Sequence, residues 1–134
     1  MEIELPPPAA TCLTCSRPRL PLAELRLKAV GELYTNSHEG AGLEQCEECQ
    51  TTYVRCWHEV YDEIWRYYSP ISSEERRTLV QAFQADPARG ESLVWRIIRD
   101  RPALQKHPGG DSVYWTPKPT VVGGPSYDAG GSRP

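Results

Sequence analysis

Hydrophobic and polar residues alternate along part of the first half of the chain, in a pattern typical of β-strands. Leu25, Leu27 and Ala29 are separated by basic residues, which is the two-residue period of a strand with one buried face. Residues 51–61 are rich in β-branched and aromatic side chains, which suit a pleated, half-buried surface. A polar, glycine-containing run over residues 36–42 predicts a loop between them. These segments together predict a small sheet.

Residues 59–68 fit two alternative structures. A turn at Asp62-Glu63 would fold this aromatic-rich sequence into a hairpin, whereas Val60, Ile64 and Tyr68 also have the four-residue spacing of one helix face. The density of aromatic residues favours the hairpin, and a short helix is the alternative.

Two amphipathic helices are predicted between residues 71 and 104. Ser72-Ser73-Glu74-Glu75 has the capping-box pattern, in which a serine caps the first turn and a glutamate reaches back to it. Asp86-Pro87 ends the first helix, because the residue before a proline disfavours helical geometry. The second helix is predicted over residues 92–100. The apolar stripes of these helices must be buried on the sheet or on a second copy, and they contain Leu79, Val80, Phe83, Leu93, Val94, Ile97 and Ile98.

Both ends of the chain differ in composition from this predicted domain, which spans residues 12–104. Residues 1–11 contain three consecutive prolines and are predicted to be an extended lead-in. Residues 105–134 are predicted to be a flexible Pro/Gly-rich tail, because such a composition buries too little apolar surface to fold. Within this tail, Val113-Tyr114-Trp115 is predicted either to pair with an edge of the sheet or to contact a partner protein.

Composition and charge restrict the class of protein. A length of 134 residues predicts one domain. Because only 39% of these residues are hydrophobic, we expect a small core that is stabilised by a metal or by disulfides. A net charge of −3 disfavours a dedicated nucleic-acid-binding protein. Arginine strongly outnumbers lysine, which indicates a GC-rich bacterial genome.

The expected location is the cytoplasm. The N-terminus has neither a basic start nor an apolar run, and no stretch approaches the ~18 apolar residues that a membrane span needs. Cysteines stay reduced in the cytoplasm, so paired C-x2-C motifs there indicate metal or redox chemistry rather than disulfides.

Four of the five cysteines form two such pairs, Cys12 with Cys15 and Cys46 with Cys49. The two-residue gap lets both sulfurs of a pair reach one ion, and Zn²⁺ prefers four tetrahedral ligands. The sequence therefore predicts one structural Zn²⁺ whose binding is coupled to folding. Four thiolates leave no open position for water, which argues against a catalytic metal.

The paired motifs resemble those of the zinc-ribbon family over residues 12–68. The resemblance implies two knuckles at the base of a small antiparallel sheet and, with the predicted helices, an α+β fold. Ser16 and Gln50 stand where this family often has glycine, and the spacer between the pairs is longer than in a minimal ribbon. The same spacing is similar to that of rubredoxins, which bind iron and transfer single electrons, so iron is the alternative metal.

Cys56 and His58 are two residues apart and are expected on the same face of a strand. A cysteine with a nearby base can act as a nucleophile, but the more ordinary arrangement is a buried cysteine beside a partly exposed histidine. The sequence contains no motif of a phosphate-binding loop, a metalloprotease or a serine hydrolase. We therefore expect no enzymatic activity.

The sequence predicts a non-enzymatic zinc-binding protein that acts as an adaptor by contacting another protein. One alternative is a nucleic-acid-binding regulatory zinc ribbon, in which exposed aromatic and basic residues would stack on bases. The other alternative is a rubredoxin-like iron electron carrier.

Overall fold

The computed structural model describes residues 4–6 and 9–119 of the 134-residue chain. The strands are β1 Arg19–Pro21, β2 Leu27–Thr35, β3 Glu39–Cys46, β4 Thr52–Val60, β5 Glu63–Ile71, β6 Ala103–Lys106 and β7 Ser112–Thr116; the helices are α1 Ser73–Ala85 and α2 Pro87–Asp100. Within the described residues, these strands form one antiparallel sheet in the order β1-β7-β6-β5-β4-β3-β2. The predicted α+β class is confirmed, and the sheet is larger than the small ribbon expected from the sequence.

The hairpin predicted over residues 59–68 is confirmed, with its turn at Tyr61-Asp62, one residue before the predicted Asp62-Glu63. β4 and β5 pair from Thr52 opposite Ile71 to Val60 opposite Glu63. Tyr61 and Asp62 both have positive φ, at 51° and 66°, which is the backbone geometry of a two-residue turn whose twist matches that of the strands.

The predicted loop over residues 36–42 is shorter than expected, because β3 already begins at Glu39. The side chain of Asn36 accepts hydrogen bonds from the backbone N–H groups of His38 and Glu39, at 2.8 and 3.0 Å. This local bonding closes the turn within three residues, so the glycines that follow lie in the strand.

Both predicted helices form, and the capping box of α1 is present. Ser72 Oγ accepts from the backbone N–H of Glu75, and Glu75 Oε1 accepts from that of Ser72. α2 begins five residues earlier than predicted, at Pro87, because Asp86 caps it and accepts from the N–H of Ala88. A proline at the first helical position loses no hydrogen bond, so the proline that ends α1 also begins α2.

The two helices cover one face of the sheet, which we call the helix face. Its buried sheet residues are Ala41, Leu43, Val54, Cys56, Tyr67 and Ile71. The predicted apolar stripes pack here, as expected, with Leu79, Val94 and Ile98 fully buried. Trp95, which the sequence analysis did not include in the stripe, is also fully buried.

The opposite face, which we call the knuckle face, is covered by cysteine-containing loops instead of helices. Its buried sheet residues are Leu20, Cys46, Tyr53, Tyr68, Leu104 and Val113. Cys12 and Cys15 pack on them together with Ala9, which belongs to a short 3-10 turn over Ala9–Thr11.

The predicted boundary between domain and tail is wrong, since β6 and β7 belong to the sheet. β7 lies between β1 and β6, and Val113 is fully buried. A strand that pairs on both sides satisfies its backbone groups despite the neighbouring glycines and prolines. Val113-Tyr114-Trp115 therefore adopts the sheet-pairing alternative. Of the predicted tail, residues 120–134 lie outside the described residues, as do residues 1–3 and 7–8 of the predicted lead-in.

Candidate metal centre

Each cysteine pair lies in a tight turn held by backbone hydrogen bonds. In the first turn, the Cys12 carbonyl accepts from the N–H of Ser16 at 3.0 Å. In the second, which connects β3 to β4, the Cys46 carbonyl accepts from the N–H of Gln50 at 2.9 Å. Gln50 has a φ of 67°, which explains why the zinc-ribbon pattern favours glycine at this position.

The two turns bring the four predicted ligands together. The Sγ atoms of Cys12 and Cys46 are 3.9 Å apart, and those of Cys15 and Cys49 are 3.7 Å apart. All four sulfurs lie within 4.8 Å of one another. A tetrahedral ion with bonds of about 2.3 Å to sulfur places its ligands about 3.8 Å apart. The cluster therefore has the size of a four-thiolate metal site, compatible with a zinc-ribbon knuckle.

Burial makes this cluster unfavourable for free thiolates. Cys46 is fully buried and Cys15 is 1% exposed, and burial raises the pKa of both Cys12 and Cys15 above the ordinary value. At Cys49 burial also raises the pKa, but hydrogen bonds with Thr51, Cys15 and Cys46 together outweigh it and leave the pKa lowered. A divalent cation among the sulfurs would reverse the effect of burial, because it stabilises the deprotonated ligands.

Aromatic residues from distant strands support the first turn. The Trp115 indole N–H donates to the Cys15 carbonyl at 2.7 Å, and its ring lies against that of Tyr53. The Tyr53 hydroxyl is buried beside the cluster, with the Cys15 sulfur as its side-chain neighbour. Burial, and then the neighbouring Cys15 sulfur, raise the pKa of Tyr53. This hydroxyl therefore stays protonated and is able to donate to a sulfur ligand that carries negative charge.

A further contact joins the two turns directly. The hydroxyl of Thr14, in the first turn, donates to the carboxylate of Glu48, in the second. Glu48 Oε2 also lies 3.6 Å from Cys12 Sγ. The hydrogen bond to Thr14 is the largest cause of the lowered pKa of Glu48, so this carboxylate is ionised where it bridges the turns.

The fifth cysteine lies on the other side of the sheet. Cys56 is outside the cluster and fully buried on the helix face, and burial raises its pKa well above the ordinary value. His58 is on the same face but is 1% exposed, so the expectation of a partly exposed histidine is wrong. Its Nε2 lies 3.1 Å from the Tyr67 hydroxyl. The helices cover both side chains, which is why they are closed to solvent.

The sequence analysis missed a buried polar group next to His58. Glu39, its cross-strand neighbour, is 1% exposed and accepts from the Tyr34 hydroxyl at 2.7 Å. That hydroxyl in turn accepts from the Trp95 indole N–H at 2.7 Å. A glutamate at the start of a strand carries no sequence signal for burial, because the tyrosine that bonds to it lies on β2 and the indole that bonds to this tyrosine lies on α2.

No protein-family model matches the chain, and no similar protein was found among curated proteins or solved structures. The interpretation of the site therefore depends on its own geometry. None of the described helices is long and apolar enough to cross a membrane.

Proposed function

We propose that the chain binds one structural Zn²⁺ through Cys12, Cys15, Cys46 and Cys49 in a zinc-ribbon-like site, and that it acts as a non-enzymatic adaptor for another protein. The main support is the spacing of the four sulfurs, which matches the edges of a tetrahedral thiolate site. Bound there, the metal would link the first cysteine turn to the β3–β4 connection.

Zinc is favoured over iron by the residues around the ligands. The knuckles of rubredoxins are rich in glycine, whereas Ser16 and Gln50 follow the second cysteine of each pair here. Four thiolates close the coordination sphere with either metal, which fits a structural rather than a catalytic site. The aromatic packing of Tyr53 and Trp115 around the first turn fits a site whose role is to hold the fold.

Two observations favour a non-enzymatic role. Cys56 and His58 are closed to solvent, so a substrate has no access to them. A depression of about 520 Å³ at the N-terminus of α1 contains Glu75 and Arg101, which pair with each other. The hydrogen bond from Arg101 lowers the pKa of Glu75 to about 2. A carboxylate that remains ionised and paired is a poor acid or base near neutral pH.

Metal analysis of the purified chain tests this proposal. We expect one zinc per chain, retained in Cys56→Ala and lost in Cys46→Ser, because a missing thiolate opens the closed site. Cys56→Ala is the matched control, since it removes a buried thiol that lies outside the cluster.

Two results would contradict the proposal. Iron in place of zinc, with visible colour, would support the electron-carrier alternative. Loss of zinc in Cys56→Ala, or full retention in Cys46→Ser, would show that the ligands are not the four cysteines named here.

A further inference from the structure

One end of the knuckle face is not covered by the cysteine turns. Trp57, Arg66 and Lys106 are cross-strand neighbours in one row across β4, β5 and β6. Arg66 lies two residues from Tyr68, so the row belongs to the knuckle face. Together with Arg55 and Ile64, these residues form what we call the basic–aromatic patch. All of them except Lys106 line a shallow depression of about 320 Å³, which Glu44 and Tyr68 also line.

Two glycines of β3 shape this patch. A Cβ atom at Gly40 would lie 2.6 Å from the Trp57 indole nitrogen, and one at Gly42 would lie 2.7 Å from the Arg55 guanidinium. Both side chains therefore lie flat across β3, in space that any other residue would fill. Glycine weakens a strand interior and often marks a close approach. The glycines thus leave room for the Trp57 indole to lie at the wall of the depression.

The charges of the patch are only partly neutralised. Arg55 pairs with Glu44 at 2.8 Å and with Glu32 at 3.2 Å. Arg66 and Lys106 lie directly opposite each other, and neither forms an ion pair with a carboxylate among the residues that the structure describes. Like charges in this arrangement destabilise a sheet. A ligand that brings negative charge to these two cations would relieve that repulsion.

Apolar surface adjoins the two cations. Ile64, in the row next to Arg66, is 42% exposed, and Tyr61 at the tip of the β4–β5 hairpin is 95% exposed. Arginine and large aromatic residues are the types most enriched at the centres of protein interfaces. The combination fits a ligand that carries both carboxylates and an apolar side chain.

We propose that the basic–aromatic patch docks an acidic segment of a partner protein, with carboxylates at Arg66 and Lys106 and an apolar side chain against Trp57 and Ile64. The inference rests on the adaptor function proposed above and specifies its binding surface. A nucleic acid fits less well, because a phosphate backbone carries a charge at every nucleotide and would also meet the carboxylates, including Asp62 and Glu63, that border the two cations. A peptide segment can place its carboxylates at Arg66 and Lys106 alone.

The first test selects binding peptides from a displayed library of random short sequences, with the zinc-loaded full chain as bait. We expect enrichment of peptides that combine Asp or Glu with a bulky apolar residue. Arg66→Ser/Lys106→Ser should weaken the selected peptides about tenfold or more, since both charge contacts are lost. The matched control, Arg77→Ser/Arg89→Ser, removes two exposed charges from the helices and should leave their affinity unchanged.

The second test locates the binding site by NMR. A selected peptide should shift the Trp57 indole signal and the backbone signals of Arg66 and Lys106. No enrichment, enrichment that the double variant does not affect, or shifts confined to another surface would overturn the proposal. If a single-stranded oligonucleotide bound more strongly and shifted the same NMR signals, the proposal would be overturned in favour of a nucleic-acid ligand.

Zinc content, measured on the same samples, separates this proposal from the one on which it rests. A chain that holds zinc through the four cysteines but selects no acidic peptide contradicts only the docking surface. A chain without zinc contradicts the metal proposal.

Discussion

The two faces of the sheet are covered by different means. On the helix face, α1 and α2 bury a continuous apolar cluster that includes Leu79, Trp95 and Ile98. On the knuckle face, the two cysteine turns and the short turn over Ala9–Thr11 cover the sheet, and four of the buried or half-buried groups are thiols. The helices stabilise their face through buried apolar area. The turns offer much less such area, so we infer that the knuckle face depends on a metal ion bound by its four sulfurs.

This difference shows how a chain that is only 39% hydrophobic can cover both faces of a large sheet. The apolar residues of the helices serve one face, and the proposed metal would take the place of a second helical layer on the other. The apparent free energy of zinc binding in small thiolate sites is about 10–16 kcal/mol, which is comparable to the stability of a whole domain.

The largest expected effect of a substitution on the helix face comes from Trp95→Ala. Trp95 is fully buried and donates a hydrogen bond to Tyr34, and such a truncation costs about 3–5 kcal/mol. Chemical denaturation of the zinc-loaded protein should show this loss, while the zinc content of the folded protein stays at one per chain. Release of zinc from a variant that remains folded would mean that the two faces are not independent.

On the knuckle face, Tyr53→Phe should weaken metal binding without disturbing packing. The substitution removes only the buried hydroxyl beside Cys15. Loss of a hydrogen bond to a metal ligand typically lowers metal affinity about 10- to 100-fold, and competition with a chelator measures this change. Tyr68→Phe is the control, because Tyr68 is buried on the same face and contributes no ligand. Equal effects of the two variants would exclude the proposed hydrogen bond.

The stability of the protein should depend on pH through His58, which is buried on the helix face. Burial lowers the pKa of His58 below its ordinary value of 6.5. Just below pH 6.5, the unfolded chain therefore binds a proton that the folded chain does not. Stability should fall as the pH drops from about 6.5 toward the folded pKa, by up to about 1.4 kcal/mol per pH unit.

Denaturation of zinc-loaded samples between neutral pH and the onset of zinc release measures this slope. His58→Gln should flatten it, whereas His38→Gln, which changes an exposed histidine, should not. A slope that is unchanged in His58→Gln would assign the proton uptake to another group.

The smallest expected effect concerns the second cysteine turn. Gln50 has a φ of 67°, a conformation that glycine adopts without strain. Gln50→Gly should therefore stabilise the protein by about 0.5–1 kcal/mol, as measured by chemical denaturation. Ser16→Gly should give no gain, because Ser16 does not have positive φ. A gain from Ser16→Gly and not from Gln50→Gly would contradict the geometry of the turns.

The features that sequence analysis predicted correctly are those encoded by neighbouring residues. The spacing within each cysteine pair, the capping box at Ser72 and the aromatic hairpin around Tyr61 each act over a few residues. Such signals depend only on residues close in sequence, so they can be recognised without knowing the tertiary structure.

The features that sequence analysis missed or left open depend on contacts between distant parts of the chain. β7 forms because β1 and β6 pair with it on either side, and Trp115 reaches Cys15 across 100 residues of sequence. Because of the nearby prolines and glycines, the sequence left pairing with the sheet as only one of two alternatives for this segment. Glu39 is buried because Tyr34 donates to it, and nothing in the sequence around Glu39 indicates that contact.

Hydrogen exchange of the full chain, with and without metal, tests most directly whether the two faces depend on metal differently. Removal of zinc by a chelator should accelerate exchange in β1, β7 and both cysteine turns, while α1, α2 and the centre of β4 stay protected. Equal acceleration across the described residues, or no change in the turns and β7, would contradict the conclusion that a metal supports the knuckle face alone.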